Sequence, residues 1–110
     1  MAKPDPANTA KWLHAQHVGQ QRFKPLEPWP AKPDEAYAYA VQDGLLAARA
    51  PAGGELIAGY KIGLTTPRMQ KLCSGDRPIS GVMPGRGIRR NGSQVKVAEF
   101  VHLGIERELA

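Results

Sequence analysis

Prolines at positions 25, 28, 30 and 33 constrain this chain more than any other feature. Each fixes φ, removes an N–H donor and pushes the preceding residue away from helical backbone. Residues 24–33 therefore cannot form a helix and read as an extended connector, with Trp29 as its packing anchor. The same chemistry continues elsewhere, since the 110 residues include 12 Gly and 10 Pro. Such a chain makes many turns and few long elements.

The segments around the connector can then be placed. Residues 1–8 read as a disordered start, after which Asn8 or Thr9 caps a helix running to about Gly19. Ala10, Leu13 and His17 lie along one side of it. Asp34 is the expected N-cap of a second helix, Glu35 to about Ala50, with Tyr37, Val41, Leu45 and Ala48 on one face. Pro51 stops it, and Ala52-Gly53-Gly54 turns the chain.

Residues 55–64 alternate as a strand. Leu56, Ala58, Tyr60 and Ile62 take one face, and Ile57, Gly59, Lys61 and Gly63 the other. Thr65-Thr66-Pro67 opens a short helix to Cys73 that stops near Gly75. Residues 75–93 read as loops, with a turn at Asn91-Gly92 flanked by strands near Gly87–Arg90 and Gln94–Val97. In Phe100–Ala110, helix propensity competes with alternation. Alternation prevails, because Gly104 weakens a helix, and this stretch is expected as a strand.

Composition narrows the function classes. The length suits one small domain, and 42% apolar residues permit a modest core. The net charge of +5 raises the question of an anionic partner. The basic residues are scattered, however, and the tightest cluster is Arg86, Arg89 and Arg90. Without a basic stripe or interleaved aromatics, no nucleic-acid partner is expected. A single cysteine, Cys73, excludes an internal disulfide and reads as a small, at least half-buried apolar residue. Neither an apolar leader nor a stretch able to span a membrane is visible, so the expected setting is cytoplasmic, with no membrane partner.

Three features carry candidate chemistry. Glu106-x-Glu108 would put two carboxylates on one face of a strand. Their repulsion calls for a neutralising charge, and a hard divalent cation prefers such oxygens. A solvated strand face, or a helix end, explains the same spacing. His102 shares that face and is a further candidate for orienting water or substrate. Lys61 stands between Gly59 and Gly63 on its own face, which leaves bare backbone around one ammonium and suits an anionic ligand. A surface lysine snorkelling from an edge strand is the competing account. The glycine-rich run Gly81-Val82-Met83-Pro84-Gly85-Arg86-Gly87 lacks the phosphate-loop pattern and reads as a flexible loop. His14 and His17, three apart, have no further ligands near them and read as surface or half-buried polar residues.

Five linked blocks point to a family. They are Ala36–Gln42 (AYAYAVQ), Gly59–Thr66 (GYKIGLTT), Met69-Gln70, Pro78–Gly81 and Gly104–Ala110 (GIERELA). In order and spacing the chain resembles the 2-keto-4-pentenoate hydratase and 4-oxalocrotonate decarboxylase branch of the fumarylacetoacetate hydrolase superfamily, whose members serve aromatic meta-cleavage catabolism. The resemblance implies an α+β fold, with N-terminal helices and strands leading into a mixed β-roll of which this chain holds only the beginning. The domains would be a start at 1–8, an α+β domain at 9–99, and the first strand of the catalytic β domain at 100–110. It implies a Mg²⁺ or Mn²⁺ cofactor held by three carboxylates, two of them matching Glu106 and Glu108. It also implies catalytic work for Lys61, with Asp76 and Arg77 on the substrate side. The substrate would be a small 2-keto acid or its dienol, and the full-length enzyme a homo-oligomer. The product of the chemistry would be either a hydrated or a decarboxylated acid. A chain ending at the E-x-E lacks the third carboxylate, so the expectation is a fragment inactive by itself, or a non-catalytic subunit. Arg107 departs from the family pattern, where a small or apolar residue is usual.

Overall fold

The computed structural model describes residues 4–22, 24–25, 34–50 and 56–109. Most of the 24–33 connector, the turn at 52–54 and residues 1–3 lie outside them. In chain order the elements are helices α1 (Pro6–Val18) and α2 (Glu35–Arg49), strand β1 (Ile57–Gly63), helix α3 (Pro67–Leu72) and strand β2 (Ile79–Pro84), then 3-10 turns at Gly85–Gly87 and Val97–Glu99. The helices and the two-stranded antiparallel sheet make an α+β chain. It divides into two compact units, residues 1–50 with 92–110, and residues 51–91.

The first unit is organised by α1 and α2. α1 starts earlier than expected: Asp5, not Asn8 or Thr9, is the N-cap, and its carboxylate accepts from the Ala7 N–H at 3.1 Å. Pro6 at the first helical position loses no bond there, so Asp5-Pro6 is the stronger start signal. The expected disorder over 1–8 thus gives way to an ordered cap and first turn from Asp5 onward. α2 follows the expected course. Asp34 caps it by accepting from the Tyr37 N–H at 2.7 Å.

Ala10, Tyr37 and Val41 form the buried apolar cluster, with Leu13 and Leu45 packed against it. Thr9 Oγ1 and Tyr37 Oη share a buried hydrogen bond of 2.8 Å, so the tyrosine hydroxyl is satisfied inside the cluster. Gly44 is required by close helix approach: a Cβ there would stand 2.8 Å from the Ala10 Cβ.

The second unit is built on the β1–β2 pair. Thr66 caps α3 by accepting from the Met69 N–H at 3.3 Å, with Pro67 behind it, as expected. Cys73, expected to be at least half-buried, is exposed, because it follows a six-residue helix with no buried residue. Two expectations for the glycine-rich region fail. β2 occupies Ile79–Pro84, inside a stretch read as loop. The strands expected near Gly87–Arg90 and Gln94–Val97 do not form, and 3-10 turns stand beside or within them. Ile79–Pro84 is a strand through its antiparallel pairing with β1, and the turn at Asn91-Gly92 persists, with Gly92 at φ +82°. Residues 100–109, expected as a strand, are neither strand nor helix. A strand needs a neighbour's backbone groups, and none pairs with this segment among the described residues. Among the described residues, no helix is long and apolar enough to cross a membrane.

Two substitutions test this packing. Gly44→Ala gains about 1 kcal/mol of helix propensity. It overpacks against Ala10, at a cost of about 1–3 kcal/mol. Thermal unfolding should show a lower midpoint, and a raised one would mean the helices are not in this contact. Tyr37→Phe strands the Thr9 hydroxyl and should destabilise by about 1–2 kcal/mol in urea titration.

Candidate functional site

Lys61, Asp76 and Arg77 belong to the second unit, and Glu106 and Glu108 to the first. Lys61 is exposed in the middle of β1. The antiparallel register sets Gly59 opposite Met83, Lys61 opposite Gly81, and Gly63 opposite Ile79. Residues paired across a ladder share a face, as do residues two apart on one strand. Lys61 is therefore surrounded by Gly59, Gly63 and Gly81, with Met83 and Ile79 at the two ends of β2. A register shift between Ile57 and Gly59 begins this pattern, and such bulges re-aim the side chains after them.

The glycines leave real space. Among the described residues, a Cβ at Gly59 or at Gly81 would meet nothing within 4 Å, and one at Gly63 would make an ordinary 3.6 Å contact with Ile79. Gly81, Ile79 and Met83 were not singled out as site residues by sequence reasoning, which placed them in a loop. No local signal finds them, because their placement comes from pairing with Gly59–Gly63.

Asp76 and Arg77 lie in the bend between α3 and β2, just before Ile79 pairs with Gly63. Arg77 Nε donates to Asp76 Oδ1 at 2.9 Å, and its Nη2 donates to Oδ2 at 3.3 Å. Both side chains are mostly exposed, so this pair adds little stability.

In the first unit, Glu106 and Glu108 are both exposed. The common face expected for them depends on strand alternation, and this segment has no ladder to impose it. Among the described residues, no group of three His, Cys, Asp or Glu side chains is placed to hold a metal ion. His102 lines a groove of about 360 Å³ with His17, Gln20, Glu99 and Phe100. Gln20 ties the groove's two sides together, donating from Nε2 to the Ala98 carbonyl at 3.2 Å. Burial, then the Arg49 charge, then His14, hold the His17 imidazole below its ordinary 6.5.

The chain is similar in sequence to two proteins named 2-keto-4-pentenoate hydratase. It is 29% identical over 94% of its length to one from Burkholderia vietnamiensis (strain G4), and 31% identical over 89% to one from Paraburkholderia phymatum. It spans only 39% and 37% of those two proteins. No family model matches the chain, and no solved structure matches it.

The lowered His17 predicts a pH dependence. A base held below its unfolded value takes up a proton less readily when folded, so the unfolded chain binds more protons at acid pH. Its contribution is whole above pH 6.5 and is lost as the pH falls below it. Urea midpoints of His17→Gln should decline less between about pH 7.5 and pH 5.5 than those of the wild type. Identical slopes would remove His17 as the cause.

Proposed function

We propose that this chain carries the substrate-binding lysine of a hydro-lyase of the 2-keto-4-pentenoate hydratase type, acting on a small 2-keto acid through its dienol. Lys61 among three glycines is the observation that carries the reading. It joins a cation to exposed backbone, which is what a small carboxylate with a conjugated oxygen requires. The relatives favour hydration over decarboxylation, because both bear the hydratase name. No observation favours the decarboxylase or the non-catalytic subunit.

Lys61 would do two things. Its ammonium would neutralise the substrate carboxylate or 2-oxo oxygen, so that negative charge developing on that oxygen during tautomerisation is stabilised. Its N–H groups would hold the conjugated system in one orientation, leaving one face open for water to add across the carbon–carbon double bond. A proton passing to or from the substrate would use the same nitrogen. Asp76 and Arg77 sit in the bend leading into β2. Arg77, steered by its neighbour, would serve the substrate's other end.

Glu106 and Glu108 are proposed as two ligands of a Mg²⁺ or Mn²⁺ ion. Their oxygens suit a hard cation, which when bound would supply Lewis-acid chemistry. Two carboxylates do not complete such a site, and the described residues bring no third donor to them. The fumarylacetoacetate-hydrolase-like roll, the cytoplasmic setting and homo-oligomerisation belong to this same proposal.

Calorimetric titration with 2-oxopent-4-enoate, with and without Mg²⁺, tests the reading. Lys61→Ala should weaken binding of the acid about tenfold or more, the scale of one lost charge-assisted hydrogen bond, and leave Mg²⁺ binding as it was. Glu106→Gln with Glu108→Gln should do the reverse. Equal affinity of wild type and Lys61→Ala for the acid would sink the assignment of the lysine.

A further inference from the structure

Two β elements of this chain are each left incomplete. β1 and β2 make a two-stranded sheet, and among the described residues neither outer edge carries a further strand. In residues 100–109, Val101, Leu103, Ile105 and Leu109 alternate with His102, Gly104, Glu106 and Glu108, yet no described strand pairs with them. The base of this arm is anchored, since the Gln20 side chain holds the Ala98 carbonyl at 3.2 Å, and Phe100 is extended at φ −121° and ψ 144°. Beyond it Val101 and Ile105 are 51% and 85% exposed. A two-stranded sheet is marginal in water, and a third strand on an apolar face is what gives such a sheet stability.

The sheet is open where it is regular. Edge strands are commonly guarded by prolines, bulges and lysines. Here Pro84 and the irregularity between Ile57 and Gly59 guard the same end, where Ile57 pairs with Pro84. From Tyr60 to Gly63, paired with Val82 to Ile79, the ladder is uninterrupted, and Lys61 is its sole charged residue. Tyr60 and Ile62 leave one face of it apolar and uncovered among the described residues. Charge points to the occupant. Residues 51–91 hold seven of the chain's Lys and Arg but only two of its Asp and Glu, so the whole net charge of +5 lies there. Residues 99–109 run the other way, with Glu99, Glu106 and Glu108 against Arg107.

We infer that two copies of this chain associate by exchanging strands: residues 100–109 of each copy add to an open edge of the β1–β2 sheet of the other. Val101, Leu103 and Ile105 cover the face of Tyr60 and Ile62, and each two-stranded sheet gains its third strand. Main-chain bonds and apolar cover supply the affinity, and the opposite charges of arm and sheet favour this occupant over an unrelated strand. The exchange is reciprocal, so the contact closes at two copies instead of growing into fibres. Homo-oligomerisation thereby gains a surface that is independent of the role proposed for Lys61.

Sedimentation velocity of the 110-residue chain in metal-free buffer, over rising concentration, tests the exchange. The wild type should pass from monomer to dimer. The arm variant, Gly104→Pro with Ile105→Pro, removes two adjacent N–H groups, one of which faces the sheet in either register. The sheet variant, Ile62→Lys, places a charge on the face to be covered. Each should weaken the dimer about tenfold or more, the scale of one lost ladder hydrogen bond. All three residues are exposed, so circular dichroism of the monomer should not change. An equal mixture of the two variants should recover association, because one copy keeps its strand and the other its sheet edge. An unfolded variant could not complement in this way. Amide exchange should show residues 100–109 protected in the dimer and open on dilution. A wild type that stays monomeric, a dimer that survives both variants, a mixture no more associated than its parts, or protection that persists in the monomer would each overturn the exchange. Acid binding at Lys61 is read separately, so the failure of one leaves the other standing.

Discussion

The pairing of Lys61 with Gly81 across β1 and β2 is the constraint on which the candidate site depends. Side chains alternate along each strand, so a shift of one residue in this register would turn one strand's set to the other face. Lys61 would then stand opposite Val82 or Ser80 instead of a glycine. The proposed role of the lysine thus rests on the arrangement around it. The register shift between Ile57 and Gly59 matters for the same reason. It absorbs one residue at the strand entry, so that Gly59, Lys61 and Gly63 fall into phase with Met83, Gly81 and Ile79.

The two units meet the hydrophobic requirement differently. In the first, the core is a compact helix pair in which Ala10, Tyr37 and Val41 exclude water, and one buried hydrogen bond satisfies the tyrosine. In the second, Tyr60 and Ile62 remain 69% and 64% exposed, and no residue of β1, α3 or β2 is fully buried. A two-stranded sheet of this kind is marginal on burial alone. Local devices carry more of the order there. The Thr66 cap is one. The Gln70 side chain donating to the Leu64 carbonyl at 2.8 Å is another. The Gly75 N–H closing onto the Gln70 carbonyl at 2.7 Å is a third. These bonds connect β1 to α3 and bring the chain round to β2, so the lysine's surroundings are positioned by caps and register more than by a core.

What could be read from the sequence follows from this division. α2, β1 and α3 were legible because each carries a local signal: Asp34 and Thr66 as caps, Pro67 at a helix start, and strict alternation in 57–63. The start of α1 was misplaced because the apolar period begins at Ala10, while the cap chemistry lies upstream at Asp5-Pro6. β2 was hidden for a different reason. Gly81 and Pro84 are loop residues by composition, and only a partner strand makes Ile79–Pro84 a strand. The lysine was thus visible from sequence with half of its setting. The glycine across from it was visible as a residue but not as a neighbour, because cross-strand proximity is a tertiary fact.

The E-x-E pair is the case where local sequence and available structure part. Alternation can align two carboxylates only if the backbone is held extended, and extended backbone is held by hydrogen bonds to a neighbouring strand. With a neighbour, Glu106 and Glu108 would lie about 6.6 Å apart along one face, near enough for both carboxylates to turn onto one cation. Without one, nothing holds the two carboxylates on a common face. Under the proposed metal role, affinity at this segment would be inseparable from strand formation: whatever pairs with residues 100–109 would align the two carboxylates, and a bound cation would in turn favour the paired state. Lys61 needs no such help, since β2 already fixes its neighbours. The lysine's setting and the glutamate pair thus call for different conditions, the one fixed by the β1–β2 register and the other dependent on a strand that the described residues do not supply.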